Sequence, residues 1–380
     1  MKVVVAIDSF KGCVTSLEAG NAVKKGILQA NPSNEVVVVP IGDGGEGSLE
    51  AIVEANNGTY NNVIVKGPLL KDITCEYGVI STTNTAVIEM ATASGLNLIS
   101  KNQRNPMNTT TYGVGQIIKD AIEHGFTNFI IGIGGSCTND GGIGMLQALG
   151  FEFLDEANNQ IPFGAKGIKY LKTIKTDNVI PSLKNCNFKV ACDVNNPLVG
   201  LNGASHIFAP QKGADNEMVI ELDKLLNKYS DLVKDTLGIG DKNYPSTGAA
   251  GGLGFALMYF LNATLTSGID LILKETNIES FIKNSDIVVS GEGKLDEQTM
   301  MGKAPIGVSK LCKKYNKPLI AISGIIDPNV TSLNENGINS YFSIINTICT
   351  LEEAMDKKTA LDNITSTVEQ IFRLLSIRLY

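Results

Sequence analysis

Arginine is scarce in this 380-residue chain, with Arg104, Arg373 and Arg378 the whole supply, so any anionic ligand must be held mainly by lysines, backbone N–H groups or a metal ion. Histidine is scarcer still: His124 and His206 are too few for a histidine-rich metal site. The seven cysteines are odd in number and no two stand in a C-x-x-C spacing, which excludes a disulfide framework or zinc knuckle and reads as reduced thiols. Basic charge is also missing. A formal net charge of -7 makes nucleic acid and anionic membrane poor partners. Long apolar runs are absent as well. The stretch before Asp8 is too short for a secretory signal, and the stretch 248–261 carries four glycines and falls short of a membrane span. The expected location is the cytoplasm. Three familiar signatures are lacking too. No G-x-x-x-x-G-K-[ST] occurs, no G-x-S-x-G elbow occurs, and Gly132-Ile133-Gly134-Gly135-Ser136-Cys137 fails the G-x-G-x-x-G fingerprint at its last position.

What remains is ample for a globular protein. With 43% hydrophobic and 19% charged residues the chain can offset its entropy, and its length favours two domains or one domain carrying an insertion. A β-branched run over 3–7 predicts a strand buried on both faces. Thr15 and Glu18 have capping-box spacing before a helix that ends at Pro32, and a second strand follows over 35–40. This is the βαβ unit of an open α/β sheet, whose ligands bind beyond the carboxyl ends of the strands. Short strand-like runs with turns replace the alternation over 60–90, which sets a boundary near Asn57-Gly58. A helix over 114–124, a strand over 128–133 and a helix over 141–149 are expected within the second region. Alternation resumes at a strand over 286–290, followed by a helix over 304–315, strands over 318–323 and 340–345, and a terminal helix. The reading is an α/β protein: a discontinuous parallel-sheet domain of residues 1–58 plus 285–380, with a second α/β domain, 59–284, inserted.

Five glycine-rich segments bear six carboxylates: 8–12, 42–47, 134–142, 248–254 and 291–296. Any one could be a plain tight turn. Together, beyond strand ends, they suit a Mg-nucleotide or phosphorylated ligand, since glycine permits close backbone approach and a helix N-terminus presents free N–H groups. Asp193 follows a strand-like Lys189-Val190-Ala191-Cys192, a place for a general base or a Mg²⁺ ligand, or for an Asx-turn before Asn195. Lys303, just before Pro305, reads as a first-turn lysine slightly better than as a phosphate contact. Lys11 follows a buried strand, where a cation is costly unless it meets an anion.

Taken in order, several segments resemble one family: Asp8-Ser9-Phe10-Lys11-Gly12, Gly42-Asp43-Gly44-Gly45-Glu46-Gly47, the run 132–142, Ala191-Cys192-Asp193-Val194-Asn195-Asn196-Pro197-Leu198, Pro210-Gln211-Lys212-Gly213-Ala214, 248–254 and 291–299. The chain resembles the type-1 glycerate kinases, with Cys137 where a small residue such as alanine is expected and Lys294 where arginine is usual. The resemblance implies ATP-dependent phosphorylation of D-glycerate, mainly at the 2-hydroxyl, with Mg²⁺, in a cleft between a Rossmann-like domain and an inserted α/β domain. Chemistry then suggests roles. Gly134, Gly135, Ser136, Thr138, Asn139, Gly251 and Gly252 would contact anions. Asp43, Asp140 and Asp296 would be metal ligands, Lys11 and Lys303 would contact phosphate or the glycerate carboxylate, and Asp193 would be the base. The carboxylate roles could permute. Competing readings are a kinase for another small hydroxy acid, a kinase giving 3-phosphoglycerate, and a non-catalytic sensor of a phosphorylated ligand, though a sensor has no use for a base. No sequence feature fixes the oligomeric state.

Overall fold

In the computed structural model, which describes residues 1–42, 47–300, 302–328, 330 and 332–377, the described residues form β1 (Lys2–Ile7), β2 (Glu35–Val38), β3 (Thr59–Lys66), β4 (Asp72–Ile80), β5 (Thr85–Glu89), β6 (Asn128–Gly132), β7 (Glu152–Leu154), β8 (Thr173–Lys175), β9 (Asn187–Ala191), β10 (Thr264–Thr266), β11 (Ile287–Leu295), β12 (Leu319–Ile326) and β13 (Ser340–Ser343). Contacts divide the chain into two units, Met1–Asn57 with Gly268–Tyr380, and Gly58–Ser267. Each unit is a mixed α/β body with its own sheet.

The first unit's sheet runs β13-β12-β11-β1-β2 and is parallel throughout. Strand β1 is buried from Val3 to Ile7, as its unbroken apolar run requires. The helix Ser16–Ala30 starts where Thr15 accepts the Glu18 N–H (3.2 Å) while Glu18 Oε2 accepts the Thr15 N–H (3.1 Å), a reciprocal cap of a kind worth about 1 kcal/mol. It packs along the terminal helix Lys357–Leu375. The two come close because Gly26 has no side chain: a Cβ there would strike Thr365 O and stand 3.1 Å from Glu369 N.

The first unit differs from the sequence expectation in one strand and in one boundary. The strand expected over 286–290 runs on as β11 to Leu295, so the fifth glycine-rich segment is strand and not loop. Its backbone pairs with β12, Glu292 opposite Ser323 and Lys294 opposite Ile325, and ladder bonding overrides the poor strand propensity of Gly-Glu-Gly-Lys. The chain also returns to the first unit at Gly268, earlier than residue 285. The helices Gly268–Glu275 and Ile278–Lys283 pack on the first unit's helices Ser48–Ala55 and Ala304–Tyr315, with Ile269 filling the space Gly307 leaves.

The second unit's sheet is ordered β10-β9-β6-β5-β4-β3. From β10 to β5 it is parallel, and β4 and β3 extend it antiparallel. Its core gathers Phe129, Ile131 and Val190 from the sheet with Ile117, Leu146, Tyr229 and Phe255 from the covering helices. No helix among the described residues is long and apolar enough to cross a membrane.

Glu54, on the helix Ser48–Ala55, lines a cavity of ≈ 420 Å³ with Glu18 and Glu50. Burial first, then the charges of Glu50 and Glu18, push its carboxyl up to about 7. A raised acid binds its proton more tightly folded than unfolded, so stability is lost as pH rises from about 4.5 through about 7. Glu54→Gln removes this loss. The melting temperature of the variant should match wild type near the low end of that window and exceed it increasingly above; a pH-independent difference would contradict the assignment.

Candidate active site

In the second unit the carboxyl ends of β5, β6 and β9 lie level, Glu89 beside Gly132 and Gly132 beside Ala191. Residues 133–142 continue from β6, and Asp193 follows β9 at an exposed position. Beyond such ends an open α/β sheet gathers its ligands.

Asp140 organises the segment after β6. It is 1% exposed. Its Oδ2 accepts from the Thr111 N–H (2.8 Å) and the Thr111 hydroxyl (3.0 Å), and its Oδ1 accepts from the Gly142 N–H (3.1 Å). Thr110 Oγ1 (3.3 Å) and the Gly144 N–H (3.4 Å) also donate to Oδ2. Thr111 Oγ1 in turn accepts the Met145 N–H at 2.9 Å. Burial pushes the Asp140 carboxyl above its usual range, while the hydrogen bonds from Thr111, Gly142 and Gly144 pull it down. The oxygens expected to hold a metal are therefore turned inward and occupied by donors of the fold.

The helix expected to begin near Gly141 begins at Ile143 and is six residues long. Gly141 (φ 66°) and Gly142 (φ 76°) are left-handed, so neither lies within the helix, and Gly142 stands at its N-cap position. The leading N–H groups of Gly142, Gly144 and Met145 donate to the Asp140 carboxylate and the Thr111 hydroxyl, not to a ligand. Gly251 (φ 68°) and Gly252 (φ 91°) also have a different task from the one expected. A Cβ on Gly251 would strike Thr138 O and lie 2.6 Å from Asn139 Cα; one on Gly252 would lie 2.8 Å from Gly141 Cα. The Gly141 N–H donates to Gly251 O at 3.0 Å. These glycines let one backbone rest on another, and both are buried.

Sequence reasoning missed Lys212 as a site residue. It is 1% exposed, and its Nζ donates to Ser136 Oγ (2.8 Å) and Thr138 O (2.7 Å). Burial pulls the ammonium down to about 8, against the opposing influence of Cys137 and Asp140. The available signal was Lys212's place in one of the family-like segments, since hydropathy alone never puts a lysine inside. Lys212, not Lys11, is the costly buried cation that must meet acceptors, since Lys11 is exposed. Beside Lys212, Asn139 Nδ2 donates to Ser205 Oγ at 3.1 Å. Thr138 Oγ1 and Asn139 Oδ1 are buried and, among the described residues, have no hydrogen-bond partner. Buried polar atoms left so are costly and uncommon, and functional sites are one place that tolerates them. Gly134 and Gly135 are exposed on the same segment, Gly135 at φ 70°. The loop thus joins exposed backbone, a buried cation and unused polar atoms, a combination suited to a small polar anion.

In the first unit, Lys11 and Lys303 line one cavity of ≈ 500 Å³ with Asp8, Glu292 and Lys294. Lys303 stands at the N-cap position of the helix Ala304–Tyr315, its Nζ 3.8 Å from Glu292 Oε2, while Thr299 Oγ1 donates to Glu292 Oε1 at 2.6 Å. Asp296 accepts the Thr299 N–H (3.3 Å) and pairs with Lys294 (3.1 Å). Asp43 lies outside the described residues. No three His, Cys, Asp or Glu side chains among the described residues form a metal cage.

If Gly251 packs backbone on backbone, Gly251→Ala should lower the unfolding free energy by about 1–3 kcal/mol in urea titration, because the new Cβ meets Thr138 and the left-handed φ is strained. Unchanged stability with lost ligand affinity would return this glycine to a ligand contact.

Comparison with known proteins bears on the whole chain. The profile of the "Glycerate kinase family" matches residues 3–376. A protein of Escherichia coli (strain K12) named glycerate 2-kinase is 45% identical over 377 residues, covering 99% of this chain and 98% of its own. A glycerate kinase of Halalkalibacterium halodurans is 43% identical over 359 residues, 94% of each chain. A crystal structure from Salmonella typhimurium LT2, provisionally named glycerate kinase 2, superposes with a TM-score of 0.91 at 42% identity, covering 99% of this chain and 98% of that one. With a full-length profile match, relatives above 40% identity and a shared fold, the chain belongs to the glycerate kinase family and is a kinase.

Proposed function

We propose that the protein transfers the γ-phosphoryl group of ATP to the 2-hydroxyl of D-glycerate, giving 2-phosphoglycerate and ADP. The observation that carries this reading is the likeness over 99% of the chain to a protein named glycerate 2-kinase. The choice of the 2-hydroxyl over the 3-hydroxyl rests on that likeness alone.

Phosphoryl transfer asks a protein chiefly for positioning and charge neutralisation. Gly134, Gly135 and Ser136, supported from beneath by Lys212, are the residues we assign to a bound anion, with Thr138 and Asn139 supplying polar atoms to the acceptor. Asp193 is exposed at the end of β9, in the neighbouring strand to β6, and is assigned as the base that takes the hydroxyl proton. Lys11 and Lys303 are assigned to phosphate. Magnesium suits the available donors, which are carboxylate oxygens, and a Mg²⁺ held through phosphates needs only one or two of them. Asp296 and Asp43 are the carboxylates proposed to hold it, and when bound it neutralises phosphate charge. Asp140 serves by shaping the loop.

The test combines a coupled ATPase assay with phosphorus NMR of the product. ADP should form only with D-glycerate and Mg²⁺ both present, and the product should be 2-phosphoglycerate. Undiminished turnover in excess EDTA would remove the metal, and a 3-phosphoglycerate product would overturn the regiochemistry. Asp193→Asn keeps the shape of the side chain without its basicity. It should lower kcat by about 10²–10⁴ with little change in substrate affinity. A rate restored by high Mg²⁺ would make Asp193 a metal ligand instead, and a near-normal rate would make it a turn residue.

A further inference from the structure

We infer that the cavity at the carboxyl edge of the first unit's sheet receives the nucleoside part of ATP, with the phosphates directed to Lys11, Lys294 and Lys303. This rests on the kinase reading above and adds where along the chain the nucleotide is held. The first observation is topological. In the order β13-β12-β11-β1-β2, the chain leaves β1 for β2 on one side and returns as β11 on the other. The strand order therefore reverses between β1 and β11, and ligands of open α/β sheets bind beyond the carboxyl ends at such a reversal. The cavity is there. Asp8, Phe10 and Lys11, which directly follow β1, line it together with Glu292 and Lys294 of β11.

The second observation is the division of the lining. Its charged groups come from the segment after β1, from β11 and from the start of the helix Ala304–Tyr315, whereas the residues at and beyond the ends of β12 and β13 are mostly aliphatic: Ile325, Ile344, Ile345, Leu351 and Met355. A ligand that was only a phosphate would have no use for the aliphatic wall, and a purely apolar one would have none for three lysines. A purine nucleotide uses both, and ≈ 500 Å³ lies within the range of about 300–1,000 Å³ usual for such pockets. The third observation is exposure. Ile325 is 49% exposed, Leu351 65% and Met355 39%, an uncovered apolar rim that a stacked base would shield. Glu292 does not oppose the phosphates unaided, since Lys303 stands 3.8 Å from it.

Photolabelling of the wild-type protein with 8-azido-ADP, with and without protecting ATP, tests the site directly. ATP-protected label should appear in peptides spanning 8–13, 324–326 or 344–355. Protected label confined to 134–139, 248–252 or any other segment, or the absence of protected label from a protein that turns over ATP, would overturn the inference while leaving the kinase reading intact. Label in the expected peptides of a protein unable to phosphorylate D-glycerate would support the pocket and overturn that reading instead. As a second arm, Ile325→Trp should weaken ADP binding by about ten-fold or more in calorimetry while D-glycerate still binds as in wild type. Unchanged ADP affinity would count against the pocket.

Discussion

The arrangement beyond the second unit's sheet depends on one buried carboxylate. Asp140 accepts hydrogen bonds from Thr110, Thr111, Gly142 and Gly144, donors that come from two separate stretches of chain. Burying an unpaired carboxylate would be prohibitive, and the density of donors is what makes the burial tolerable. The consequence is geometric. Left-handed Gly141 and Gly142 follow from the need to turn N–H groups back onto the carboxylate. Gly144 must lack a side chain, since a Cβ there would strike Thr110 Oγ1 and stand 2.9 Å from Asp140 Oδ2. With the segment fixed on that side, Gly251 and Gly252 close it from another and Lys212 ties Ser136 to Thr138. What stays exposed, Gly134 and Gly135, is presented by a rigid support, as the proposed anion site requires.

The first unit works by different means. Its sheet is parallel, its inner strands are buried, and the position of its cavity follows the strand order more than any single side chain. Here charge is distributed as pairs, Lys303 with Glu292 and Lys294 with Asp296, around a cavity that is otherwise aliphatic. Such pairs at partial exposure add little stability. They hold cations at a strand edge, where the phosphates of the proposed nucleotide would meet them.

Much of this was legible in the sequence, for reasons that differ by element. Strand β1, the capped helix after it and the helix Ala304–Tyr315 follow from local rules: an unbroken β-branched run, a Thr-x-x-Glu box and a proline at a helix start. The glycine-rich segments were visible as special, but their tasks were not. Whether Gly251 meets a ligand or the backbone at Thr138 depends on a contact more than one hundred residues away in sequence, which no local pattern encodes. Asp140 looked like a metal ligand because it is a carboxylate among glycines; only the fold shows that Thr110 and Thr111 have taken its oxygens. Lys212 was hidden for the opposite reason, as a charged residue that local rules send to the surface. The return to the first unit at Gly268 was missed because its helices announce themselves only by what they pack against.

Asp140 holds the segment after β6 in shape without any ligand. Asp140→Asn is nearly isosteric, yet either orientation of the amide places an NH₂ against a backbone donor, Gly142 N–H on one side and Thr111 N–H on the other. Amide hydrogen exchange of the ligand-free variant is the most direct measurement. Exchange at Thr111, Gly142, Gly144 and Met145 should quicken by about ten-fold or more, while β1 and β11 keep wild-type protection. Wild-type protection at those four amides, with activity lost in a manner that added Mg²⁺ restores, would show that Asp140 binds metal and does not shape the loop.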